Sequence, residues 1–129
     1  MNYLLDTHLL IWAANQNPRL PSEVTKIISH SASVLWVSVV SIFEVAIKRT
    51  QDRGDFRYQA GQLRAGLLAN GYLELPVEGR HAVLLATLPP LHTDPFDRLL
   101  VAQAMAEGMM LLTADRQLKQ YGHPVRFVR

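Results

Sequence analysis

The chain has 129 residues, 49% of them apolar, with 11 acidic against 13 basic side chains and no cysteine. That length and apolar share suit a single domain, residues 1–129, with a sizeable core, and the missing thiols exclude a disulfide framework or a thiolate zinc site. No window approaches the ~18 to 20 apolar residues of a membrane span, and the opening MNYLLDTHLLIWAANQNP, interrupted by Asp6 and His8 with no basic segment before it, is unlike a signal peptide; a soluble cytoplasmic protein is expected.

Taken along the chain, the apolar pattern predicts strands alternating with helices. Tyr3 to Leu5 reads as a strand, followed by helices over Leu9 to Ala14 and Pro21 to His30. A second strand, Val34 to Val37, runs into a helix over Val39 to Thr50. The polar stretch QDRGDFRYQAGQLRAG, Gln51 to Gly66, reads as the turn and start of a helical hairpin, with a helix over Phe56 to Asn70 stopped at Gly71. Tyr72 to Val77 is the third strand, Gly79 to Thr87 a helix, and Pro95 to Glu107 another, stopped at Gly108. Met109 to Thr113 and Val125 to Val128 complete the strands, with a short helix near Arg116 to Lys119 between them. The alternation predicts an α/β sandwich: a central, mainly parallel sheet of about five strands with helices on both faces.

In such a sheet, ligands bind outside the carboxyl ends of the strands, where the strand order reverses. Asp6 directly follows the first strand, and Asp115 in MLLTAD lies just past another. The helix that starts at Asp94 or Asp97, in LHTDPFDRLLVAQA, should turn its first residues to the same edge. Glu44 sits in VSVVSIFEVAIK, where every residue within three positions except Ser41 is apolar. Each acid also has a local explanation. Asp6, Asp94 and Asp115 suit helix caps, with Pro95 well placed after one of them, and Glu44 can pair with Lys48 one turn on. Together, though, four carboxylates at one sheet edge repel each other and require a cation among them.

Oxygen ligands select a hard cation, Mg²⁺ or Mn²⁺, since His8, His30, His81, His92 and His123 have no zinc-like spacing. His8 and His92, each two residues from an acid, suit either solvated loop positions or contacts to the site. Such a metal supports phosphodiester hydrolysis. With four acids gathered in a neutralised pocket, the remaining surface is basic, as a polyanionic partner requires.

Asp6 in LLDTHLLIW, Glu44 in SVVSIFEVAIK, Asp97 in HTDPFDRLLVAQA and Asp115 in LLTADRQL together resemble, in order and spacing, the acidic quartet of PIN-domain nucleases, specifically VapC-type toxins of bacterial toxin–antitoxin pairs. The resemblance covers nearly the whole chain. It implies a PIN-like three-layer sandwich, Mg²⁺- or Mn²⁺-dependent endoribonuclease activity on RNA, frequent homodimers, and inhibition by a small antitoxin whose C-terminal segment lies over the active-site groove. It further implies that Asp6, Glu44 and Asp97 are core metal ligands, Asp115 the more variable fourth acid, and Thr113 the hydroxyl that orients an acid or a water. Asp94 then caps the helix and stands behind the ligands, while Lys48 and Arg98 are the basic residues expected nearest the acids, as phosphate contacts.

Three other functions compete on the residues. A haloacid dehalogenase-type phosphatase needs a second Asp where this chain has His8. A receiver-like domain needs an acidic pair at the first strand and a lysine at the end of a late one, and Lys26, Lys48 and Lys119 are not so placed. The third is a non-catalytic RNA-binding or scaffolding PIN domain, against which the intact acids favour an enzyme.

Overall fold

The first strand, β1 (Asn2–Leu5), shows why the molecule is layered as it is. Its alternating side chains enter two different cores: Tyr3 and Leu5 join Leu9, Leu10, Val24, Leu63, Leu67 and Leu112, whereas Leu4 joins Leu100, Val101, Ala104 and Leu111. A strand buried on both faces belongs in the middle of a parallel sheet covered on both sides. Leu4, Leu5, Leu111 and Leu112 are fully buried, a gain of ~1.5 to 3 kcal/mol for each such side chain.

The computed structural model describes residues 1–50 and 58–129. After β1 come α1 (Thr7–Ala14), α2 (Ser22–Ser29), β2 (Val34–Ser38), α3 (Val39–Thr50) and α4 (Ala60–Ala69). Then follow β3 (Leu73–Leu75), α5 (Gly79–Leu85), α6 (Pro95–Glu107), β4 (Met110–Thr113), a 3-10 turn (Leu118–Tyr121) and β5 (Val125–Phe127). Among the described residues the sheet has five strands in the order β3-β2-β1-β4-β5, and every neighbouring pair is parallel. Side chains of α1, α2 and α4 fill the first core and those of α6 the second. No helix among the described residues is long and apolar enough to cross a membrane.

The strand order places the reversal point. From β1 the chain builds outward through β2 and β3, then returns to lay β4 on the other side of β1 and β5 beyond it. Connections leaving the carboxyl ends of β1 and β4 therefore diverge, and a crevice opens between them. Register fixes its floor: Leu5 pairs with Leu112, and the Asp6 amide continues the ladder to the Leu112 carbonyl at 3.0 Å. Asp6 and Thr113 consequently emerge side by side.

The predicted helices over Val39 to Thr50 and Pro95 to Glu107 match α3 and α6 residue for residue. Gly108 ends α6 at φ 66°, a left-handed conformation that its missing Cβ makes accessible. The other elements shift at one end or both by a residue or more, and three of the shifts are instructive. The first helix begins at Thr7 instead of Leu9, because Asp6 caps it. The strand expected over Tyr72 to Val77 shrinks to β3, since the Tyr72 amide bonds back to Leu67 in α4 and Pro76 has no N–H for the ladder. The short helix near Arg116 to Lys119 is a 3-10 turn two residues later. The expected hairpin turn and helix start at Phe56 lie partly in residues 51–57, outside the described residues, and α4 begins at Ala60.

Candidate active site

The acids arrive at the crevice from four elements, and three of them use their two oxygens for different purposes. Asp6 Oδ1 accepts from the Leu9 amide at 2.9 Å, capping α1, while Oδ2 accepts from the buried Thr113 hydroxyl at 2.5 Å. Asp94 Oδ1 accepts from the Phe96 amide at 2.8 Å, capping α6, and Oδ2 faces Lys48 Nζ at 3.4 Å. Asp115 Oδ1 accepts from the Gln117 amide at 2.9 Å, and Oδ2 lies 2.8 Å from His92 Nε2. Asp6 and Asp94 thus cap helices as expected and still turn one oxygen to the crevice, whereas Asp115 binds the Gln117 amide without capping the 3-10 turn, whose N-cap is Gln117.

Glu44 comes from α3 and is 2% exposed. Its Oε1 accepts from the Thr7 hydroxyl at 2.6 Å, and Oε2 is 2.5 Å from Lys48 Nζ. A buried carboxylate needs such partners to remain charged. Lys48 is itself 9% exposed. Burial works against its charge, but the Glu44 and Asp94 carboxylates outweigh that and raise its pKa.

Asp97, in the first turn of α6, is the acid under most stress. Burial, followed by the charges of Asp94, Glu44, Asp6 and Asp115, pushes its carboxyl up to about 8. Burial likewise raises Asp6, against the hydrogen bonds from Thr113 and Leu9 that favour its charge. Lys48 offsets Glu44 and Asp94, which leaves Asp97 facing like charges. A cation between the acids would relieve this, and the oxygen donors suit Mg²⁺ or Mn²⁺. Asp97, Asp115 and His92 each offer one ligand atom within 4.8 Å of the other two, a span that one ion can bridge.

The structure therefore brings together Asp6, Glu44, Asp97, Asp115, Thr113, Asp94 and Lys48. Arg98 goes elsewhere: its Nη2 donates to the Leu88 carbonyl at 3.3 Å, and its Nε is buried without a hydrogen-bond partner among the described residues. Two hydroxyl groups escaped the sequence reading. Thr7 links Glu44 to Ser41, the two hydroxyls 2.9 Å apart and both buried; the one available signal was a hydroxyl residue directly after the first acid. His92 is bonded and its side chain only 8% exposed, not a solvated loop histidine.

The fold and the carboxylate crevice define a PIN domain, and the chain belongs to the PIN domain family, whose model matches residues 3–124. Within that family it is similar to Ribonuclease VapC22 of Mycobacterium tuberculosis, with 33% identity over 125 residues that cover 94% of this chain and 92% of that protein. Two solved assemblies share the fold. One is VapBC2 from Rickettsia felis bound to a promoter DNA fragment (TM-score 0.71, 15% identity, all of both chains covered). The other is a toxin–antitoxin complex from Klebsiella pneumoniae (TM-score 0.67, 17% identity, 96% of this chain and 95% of that one).

Proposed function

We propose that this protein is a Mg²⁺- or Mn²⁺-dependent endoribonuclease of the cytoplasm, the toxin of a toxin–antitoxin pair. The observation that carries this reading is Asp97, whose burial, together with the four carboxylates around it, raises its carboxyl to about 8, in a chain 33% identical to a named ribonuclease. A stable fold has little reason to assemble such repulsion, whereas a cation site requires it. The toxin–antitoxin assemblies among its structural neighbours support a cognate antitoxin as partner, and the family resemblance supports a homodimer.

Asp6, Glu44, Asp97 and Asp115 are the proposed metal-holding acids. When bound, a divalent cation supplies Lewis acidity toward a phosphoryl oxygen and lowers the pKa of water. The chain's own groups do the rest. Thr113 and the Leu9 amide fix the Asp6 carboxylate in one orientation, and Thr7 does the same for Glu44. Lys48 holds a positive charge at the crevice wall, where an entering phosphate meets it. Hydrolysis of this kind attacks phosphorus with water and releases the 3′ oxygen, leaving 5′-phosphate ends.

The purified chain is accordingly expected to cut RNA in Mg²⁺ or Mn²⁺, to stop in EDTA, and to leave 5′-phosphate termini. Cyclic 2′,3′-phosphate ends, which require the ribose hydroxyl as nucleophile, would overturn the chemistry. Growth arrest on expression of the chain alone, absent in its acid mutants and reversed by a small neighbouring gene product, tests the toxin role. Light scattering tests the dimer.

A further inference from the structure

His92 stands in the loop before α6, and both of its ring nitrogens are engaged. The Asp94 amide directs its proton at Nδ1 from 2.9 Å, so Nδ1 presents a lone pair and the ring proton sits on Nε2. That proton points at Asp115 Oδ2, 2.8 Å away, with Asp97 Oδ2 at 3.5 Å. The side chain is 8% exposed and is held in this pose from both ends.

His92 looks like a third metal ligand at first sight, because its Nε2 shares a 4.8 Å cluster with Asp97 and Asp115. The tautomer argues otherwise. A ring that coordinated through Nε2 would carry its proton on Nδ1, donor facing donor at the Asp94 amide, and that amide would lose its acceptor. Through the same ring the α6 start, which carries Asp94 and Asp97, is tied to the residue beyond β4 that carries Asp115. The link continues: the Asp115 amide donates to Thr113 Oγ1 at 3.0 Å, and Thr113 donates to Asp6.

We propose that His92 is a positioning residue that donates from Nε2 to set Asp115 against Asp97 for a shared divalent cation, and that it is not a ligand of that cation. This rests on the metal-dependent reading above. Outer hydrogen-bond partners of this kind commonly orient metal-binding carboxylates.

Two substitutions separate the two nitrogens. In His92→Gln the side-chain amide reaches the Nε2 position and keeps a donor toward Asp115. In His92→Asn the amide oxygen reaches the Nδ1 position and keeps an acceptor for the Asp94 amide. Mn²⁺ affinity is measured by titration for wild type and both variants, with thermal melts to confirm folding and electron spin-echo spectra of the Mn²⁺-loaded protein to detect directly bound nitrogen. His92→Asn is expected to fold and to lose ~10- to 100-fold in Mn²⁺ affinity, while His92→Gln recovers most of that loss. No directly bound nitrogen is expected in the wild-type spectrum.

A nitrogen signal that disappears in both variants would make His92 a ligand and overturn the proposal. Wild-type affinity in His92→Asn together with weakened affinity in His92→Gln would overturn it differently, by reducing His92 to a loop cap. If wild type binds no Mn²⁺, the metal-dependent reading itself falls and this proposal falls with it, an outcome distinct from both.

Discussion

Two clusters of carboxylate and imidazole lie among the described residues, and they differ in how their charges are met. Around α5, His81 is fully buried, takes the Glu78 amide on Nδ1 at 3.0 Å and lies 2.8 Å from Glu107 through Nε2. Arg80 pairs with Glu107 and Glu78, and Gln103 joins the imidazole to Ser38 at the end of β2. The hydrogen bond from His81, with the Arg80 charge beside it, holds the Glu107 carboxyl below the ordinary range. At the β1/β4 crevice the imidazole of His92 meets two acids, no arginine pairs with Asp97 among the described residues, and the Asp97 carboxyl is driven up to about 8. The same residue types give opposite shifts. A cluster whose acids are met by arginine and by a hydrogen-bonded imidazole holds elements together, whereas one left with its carboxylates facing each other is prepared to receive a cation.

The sharpest test of this contrast is activity. Asp97→Asn is expected to lower Mn²⁺-dependent RNA cleavage by at least ~100-fold, whereas Glu107→Gln, far from the crevice acids, should cut at nearly the wild-type rate. Equal losses in both would erase the distinction. Stability should behave in the opposite sense. Glu107→Ala removes the acceptor of a buried imidazole and is expected to cost ~1 to 3 kcal/mol in urea melts, at every metal concentration.

The pH dependence of metal-free protein sharpens the comparison further. The folded pKa of Asp97, about 8, lies above its ordinary value of 3.8, so the folded state binds the extra proton. Its contribution to stability is fully present below the ordinary value and is lost as pH rises through about 8. In EDTA the melting temperature is therefore expected to fall by several degrees between pH 6 and pH 9, and Asp97→Asn should flatten that fall and melt higher than wild type at pH 9. Glu107 has the reverse sign. Its lowered pKa makes a contribution that is present above the ordinary glutamate value and lost as the pH drops through the folded one. The smallest effect belongs to Asp94→Ala, which removes the α6 cap for ~0.5 to 2 kcal/mol and should leave cleavage reduced but measurable.

How much of this was visible in the sequence varies by element. α3 and α6 were legible because their starts and stops are chemical signals: Asp94 and Pro95 at one end, Gly108 at the other. β3 was overestimated because periodicity registers apolar residues and not the hydrogen bonds that Tyr72 and Pro76 divert from the ladder. The acids could be read as a set because four carboxylates near one sheet edge conflict electrostatically wherever the chain places them. Arg98 was expected near them by its adjacency to Asp97, but successive helical side chains diverge by about 100°, and its guanidinium turns toward Leu88. Thr7, Ser41 and the role of His92 stayed hidden because hydroxyl and imidazole groups are commonplace at helix starts. Only tertiary burial distinguishes these from the rest.

The divided use of the carboxylates gives the crevice a spectroscopic voice. Of the proposed metal-holding acids, Asp6 and Asp115 each hold a backbone amide, those of Leu9 and Gln117, with the oxygen that does not face the cluster. Any ion drawing charge from the inner oxygens must weaken the acceptors on the outer ones. In a Mg²⁺ titration followed by amide NMR, these two resonances, from separate segments of chain, are expected to move together along a single binding curve.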